Sequence, residues 1–136
     1  MSDAVELLRN ARTIAVVGFS RDPAKTAHSV PRSLMAAGYE VIPVNPHADE
    51  IAGLRAYPTL LDIPSDIQVD IVDVFRPSQH TPEVARRAVE IGAKALWLQT
   101  GIASEESRAI ATEAGLDYVE DTCIAVVRSA NQLTRD

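Results

Sequence analysis

Gly38-Tyr39-Glu40-Val41-Ile42-Pro43-Val44 is the stretch on which the fold turns: one glycine, then a β-rich run, directly after a helix-like segment at residues 30–37. The same join recurs at Gly92, before Ala93-Lys94-Ala95-Leu96-Trp97-Leu98, and at Gly115, before Leu116-Asp117-Tyr118-Val119. A glycine one step past a helix end adopts left-handed backbone with no Cβ penalty. Three of the six glycines therefore mark helix-to-strand joints. Helix alternating with strand predicts an α/β fold, a mainly parallel sheet flanked by helices.

Working outward, Thr13-Ile14-Ala15-Val16-Val17 is continuously apolar and reads as a strand buried on both faces, stopping at Gly18. Residues 4–10 before it read as a helix capped by Ser2 or Asp3, with Glu6 placed to close a capping box. The helix at 30–37 takes Pro31 in its first turn. Residues 69–75 form another strand, interrupted by Asp70 and Asp73; Asp73 is expected at a wet strand end or against a polar partner. A helix follows at 82–91 with Thr81 as cap and Val84, Ala85, Ala88 and Val89 on one face. Another starts after Ser104, with Glu105 and Glu106 in its first turn. The apolar tail at 123–127 reads as a last strand or edge segment, and Tyr57-Pro58-Thr59-Leu60 as a short edge strand in the long loop at 45–65.

The chain has 136 residues, 13 Lys+Arg against 19 Asp+Glu, and a formal charge of −6. That length suits a single domain over residues 1–136. Hydrophobic residues at 46% and charged residues at 24% are ordinary for a soluble protein, and no run approaches the roughly 20 apolar residues of a bilayer span. The first residues show no secretory signal, so a cytoplasmic protein that does not engage a membrane is expected. The acidic balance argues against a general nucleic-acid binder. Cys123 is the single cysteine, which excludes an intrachain disulfide and a zinc–cysteine cluster.

In an open parallel sheet, ligands bind beyond the carboxyl ends of the strands. The loops there are Gly18-Phe19-Ser20-Arg21-Asp22-Pro23-Ala24-Lys25, Asn45-Pro46-His47, Phe75-Arg76-Pro77-Ser78 and Gln99-Thr100-Gly101. The first lacks the second and third glycines of the dinucleotide fingerprint, with Ser20 and Pro23 in their places, and strand two ends in Asn45-Pro46 rather than a ribose-binding acid. A standard NAD site is disfavoured twice, and no Walker A loop occurs. What remains is a Gly-Phe-Ser turn whose N–H groups and Ser20 hydroxyl would meet phosphate oxygens, with Arg21, Lys25 and Arg76 as cations around a polyanionic small ligand.

The catalytic inventory is thin: His28, His47 and His80 have no metal-ligand spacing, and no nucleophile turn is present. His47 and His80 fall near strand ends, where either could touch a ligand, though the favoured reading is a surface-loop histidine, and Cys123 reads as a small buried hydrophobe. A mixed disulfide between Cys123 and a thiol ligand is the alternative. Trp97 reads as core; Phe19 and Phe75 either flank a base or cap the core.

The ordered set Val16-Val17-Gly18-Phe19-Ser20 with Lys25, Gly38 through Pro46, Asp70-Ile71-Val72-Asp73-Val74-Phe75-Arg76, Trp97-Leu98-Gln99-Thr100-Gly101 and Asp121-Thr122-Cys123 resembles the small stand-alone CoA-binding domain proteins over essentially the whole chain. That family is similar in fold to the N-terminal domain of the succinyl-CoA synthetase α subunit. The resemblance implies a Rossmann-like, doubly wound, three-layer domain with coenzyme A as its ligand. By position it implies Gly18, Phe19 and Ser20 at the phosphates with Lys25 near, Asn45 and Pro46 at the adenosine, Val74, Phe75 and Arg76 flanking the nucleotide, and Gln99 with Gly101 at the pantetheine exit. Two positions depart from the family pattern: Gln79 and Val127-Arg128 stand where relatives often have Glu and Glu-His.

The expected function is non-catalytic binding of CoA or acyl-CoA. The alternatives are a partner-dependent acyl-CoA ligase component, an NADP-dependent oxidoreductase, or a regulatory module with a vestigial pocket. The synthetase's phosphorylated histidine lies in a second domain, so ligase activity by this chain alone is not expected. The apolar tail would suit a homodimer or an unidentified protein partner.

Overall fold

A computed structural model describes residues 3–135. Helix gives way to strand at each glycine joint, as predicted, in the order α1 (Ala4–Asn10), β1 (Thr13–Val17), α2 (Thr26–Ala36), β2 (Glu40–Val44), β3 (Glu50–Ile51), β4 (Leu54–Arg55), β5 (Ile71–Val74), α3 (Thr81–Glu90), β6 (Ala95–Leu98), α4 (Glu105–Glu113), β7 (Asp117–Val119) and α5 (Ile124–Ala130). Five strands form one parallel sheet in the order β2-β1-β5-β6-β7; β3 and β4 form a separate antiparallel pair. The fold is Rossmann-like α/β.

Side-chain alternation along the strands divides the core in two. Ile14, Val16, Ile71, Ala95 and Trp97 pack with Leu8, Leu34 and Ile124 from α1, α2 and α5. Ala15, Val72, Val74, Leu96 and Leu98 pack with Ala85, Ala88 and Ala111 from α3 and α4. Central strands buried on both faces explain why β1, β6 and, apart from Asp73, β5 are apolar without alternation. No described helix is long and apolar enough to cross a membrane.

Local signals hold at several ends. Asp3 caps α1 by accepting from the Glu6 N–H at 2.8 Å, whereas Ser2 lies outside the described residues. Ser104 caps α4 by accepting from the Ser107 N–H.

Elsewhere tertiary structure overrides the local reading. α2 begins at Thr26, so Pro31 sits inside the helix rather than in its first turn. Proline has no N–H for the carbonyl four residues back; that carbonyl, on Ala27, accepts instead from the Ser20 N–H at 3.0 Å. α3 begins at Thr81 itself, whose buried hydroxyl donates to the Ser78 carbonyl at 2.8 Å and pairs with the Ser107 hydroxyl at 2.7 Å.

The expected last strand at 123–127 is helix α5, with Ile124 sealed against the core and Val126 63% exposed. A docking surface on α1 and α2 favours the helix despite its β-branched run. Tyr57 makes only a single parallel bridge, to Val44, and residues 60–62 form a 3₁₀ turn.

Candidate functional site

From β1 the chain moves outward to β2, then returns past β1 to β5, so the winding direction reverses between β1 and β5. Loops leaving the two strands diverge there and open a crevice. Its volume is about 530 Å³, within the usual range for a ligand site. The ends of β1, β2 and β5 supply Gly18, Ser20, Asn45, Pro46, Phe75 and Arg76, and Lys25 closes the rim.

Gly18 is required by a close approach. Its φ is +90°, and a Cβ built there would lie 2.7 Å from the Phe75 carbonyl oxygen. The following turn is braced from three sides. The Gly18 N–H donates to the Val44 carbonyl at 2.9 Å, and Asn45 Nδ2 donates to the Phe19 carbonyl at 3.0 Å. His28, itself buried, sets Nδ1 2.6 Å from the Ser20 carbonyl and meets the Phe19 ring edge-on.

This bracing changes where anion-binding donors are found. Of the Gly18, Phe19 and Ser20 N–H groups expected to face phosphate, the first and last are already bonded, and only the Phe19 N–H has no partner among the described residues. The Ser20 hydroxyl accepts from the Asp22 N–H at 3.1 Å. Open donors lie at the start of α2 instead: the Thr26 and Ala27 N–H groups have no partner among the described residues. The cap, Lys25, makes no side-chain hydrogen bond there, and the first turn holds no acid. An uncapped helix start beside a lysine favours an anion.

A second recess of about 400 Å³ shares Ala27, Phe75 and Arg76 with the first and continues toward the end of β6. Gln99, Thr100, Ile102 and Cys123 line its far part. Gln99 is 4% exposed, and its Oε1 accepts from the Ile124 N–H at 3.1 Å.

The remaining sequence candidates lie elsewhere. Phe19 is sealed in the core, so of the two aromatics only Phe75, half-buried, lines the crevice. Val74 is fully buried among the sheet residues facing α3 and α4. Arg21 is exposed and lines neither recess. Gly101 is exposed, lines neither recess, and donates its N–H to Asp121 at 2.7 Å. Lys25 and Arg76 have no ion-pair partner among the described residues.

Several lining residues escape a reading of strand ends. Glu83 and Arg87 reach the crevice from α3, and Thr59 from the cap of the 3₁₀ turn after β4. Arg87 is held by Glu83, one helical turn away, at 2.6 Å. The i, i+4 spacing was a visible signal of that pair, but not of its position over the sheet. His47 and His80, read as surface-loop histidines, both line the crevice.

Asp73 departs most from expectation. It lies mid-strand in β5, between Val16 and Trp97, fully buried, with neither carboxylate oxygen hydrogen-bonded. Burial pushes its pKa well above the usual carboxylate range; the adjacent Val74 amide opposes this, without hydrogen-bond geometry. No described group of His, Cys, Asp and Glu could hold a metal ion.

A glycine-tight switch point, an uncapped helix start and two joined recesses describe a site for a long anionic ligand. Residues 12–129 match the protein-family profile described as a CoA binding domain. The chain belongs to the CoA-binding domain family. The uncharacterized protein YneT of Bacillus subtilis is 40% identical over 127 residues, 93% of each chain. The ADP-forming acetate–CoA ligase II of Archaeoglobus fulgidus is 33% identical over 109 residues, spanning 79% of this chain but 15% of the ligase. Among solved structures, a hypothetical protein from Pyrococcus horikoshii matches with a TM-score of 0.89 at 35% identity, covering 93% of this chain and 88% of that one. The family match over residues 12–129 takes in the crevice and all five strands of the parallel sheet.

Proposed function

We propose that this chain binds coenzyme A or an acyl-CoA as one non-catalytic domain, with the diphosphate at the start of α2 and the pantetheine arm along the second recess. The observation that carries this reading is the pair of recesses joined at Ala27, Phe75 and Arg76, one flanked by Lys25 and open helix donors, the other smaller and reaching Gln99 and Cys123. CoA has that polarity: a phosphorylated nucleotide at one end and a slim amide-containing thiol arm at the other. The family membership supports the same ligand. Gly18, Ser20, Asn45 and Pro46 shape the nucleotide end.

The test is calorimetric titration with CoA, dephospho-CoA, NADPH and ATP at fixed salt. Saturable binding of CoA, weaker for dephospho-CoA, is expected. Binding of NADPH alone overturns the reading in favour of an oxidoreductase. The likeness to a ligase whose chain is much longer favours a second reading, a component that presents CoA to a catalytic partner; co-purification with a protein that confers acyl-CoA formation would establish it.

A further inference from the structure

We propose that the far end of the second recess is a thiol-exchange site, at which Cys123 takes one half of a CoA disulfide and becomes a protein–CoA mixed disulfide. This rests on the CoA reading above and specifies what the site does with the sulfur end of the ligand.

The first observation is placement. Cys123 is partly buried and lines the recess that continues from the nucleotide crevice. It precedes α5 without making a side-chain capping bond. A ligand anchored near Lys25 and Arg76 has its far end where this thiol is.

The second observation is independent of the cysteine. Gln99, nine-tenths buried in the same recess, uses Oε1 on the Ile124 N–H, while its Nε2 has no partner among the described residues. That amide group opens to the recess and is free to donate to a bound acceptor. The arm of CoA carries two amide carbonyls and ends in sulfur, which gives Gln99 an acceptor and Cys123 a reaction partner. Val30, Pro77 and Ile102 supply apolar walls for the methylenes between them.

The chemistry needs no external oxidant. The Cys123 thiolate attacks one sulfur of the CoA disulfide; a Cys123–CoA bond forms as the original S–S bond breaks, and the departing CoA thiolate takes up a proton. The disulfide is conserved in number, so no net oxidation occurs. Binding of the CoA half raises the local concentration of the reacting sulfur, and the exchange becomes selective for CoA over other disulfides.

The reduced protein is incubated with CoA disulfide and, separately, with glutathione disulfide at equal concentration, and intact mass is followed over time. One CoA adduct is expected, removed by dithiothreitol, forming on the order of 10-fold faster or more than the glutathione adduct and slowed by a CoA analogue that lacks the thiol. Cys123→Ser forms no adduct while its melting temperature stays near wild type, since serine is well suited to a helix cap. Equal rates with both disulfides, or no protection by the analogue, overturn the proposal. If the wild-type protein binds CoA but forms no adduct, the exchange site fails and the binding reading stands. If it neither binds CoA nor forms an adduct, both fail.

Discussion

At the residue scale, the cations and the first glycine carry different burdens. Lys25 and Arg76 are exposed and free of ion pairs among the described residues. Changing either to Ala is expected to weaken CoA binding by about 1–3 kcal/mol, as for a lost charge-assisted phosphate contact. Calorimetry would measure this, and melting temperatures should stay near wild type; unchanged affinity in both variants removes them from the site. Gly18→Val acts through the fold. Its Cβ would strike the Phe75 carbonyl at 2.7 Å in a backbone region valine avoids, so thermal stability and CoA affinity should fall together.

At the element scale, helices reach the site through contacts that cross sequence distance. α2 is tied to the β1 loop because Pro31 releases the Ala27 carbonyl for the Ser20 N–H, which couples the helix start to the turn beneath it. α3 and α4 are joined by the buried Thr81 and Ser107 hydroxyls, and α3, which His80 immediately precedes, in turn holds Arg87 over the crevice. Thr81→Val leaves the fully buried Ser107 hydroxyl without this partner and should cost about 1–3 kcal/mol. In denaturant unfolding, adding Ser107→Ala should cost less than the sum of the single changes, because the second group no longer has a bond to lose.

At the scale of the whole molecule, Asp73 makes global stability depend on pH. In the unfolded chain its proton leaves in the ordinary carboxylate range; in the folded chain burial holds it to higher pH. Between those values the folded state binds one proton more, so this residue makes stability fall as pH rises through that window. Asp73→Asn should flatten the decline, seen as a difference between wild-type and variant unfolding free energies that grows toward alkaline pH. Parallel curves from acid to alkaline pH would refute a buried, protonated carboxyl at this position.

The sequence by itself determined the five strands of the parallel sheet and the four helices α1 to α4, because the signals behind them are local. The glycines at 38, 92 and 115 have positive φ and stand at helix-to-strand joints, and the unbroken apolar run of β1 reports burial on both faces. It also brought the ends of β1, β2 and β5 forward as the candidate site, since a parallel sheet presents all its carboxyl ends at one edge. Tertiary structure alone decided the rest. α5 is helical because α1 and α2 offer it a surface that its β-branched residues do not announce. The open N–H donors lie at the start of α2 rather than in the Gly-Phe-Ser turn because Val44 and Ala27, distant in sequence, already occupy two of the turn's N–H groups. His80, Glu83 and Arg87 enter the crevice only once α3 packs beside β5, and Asp73 loses its water only when Val16 and Trp97 close on either side. Periodicity and capping act within a few residues of chain; which donors remain open and which carboxyl is left dry depends on partners that folding brings from elsewhere.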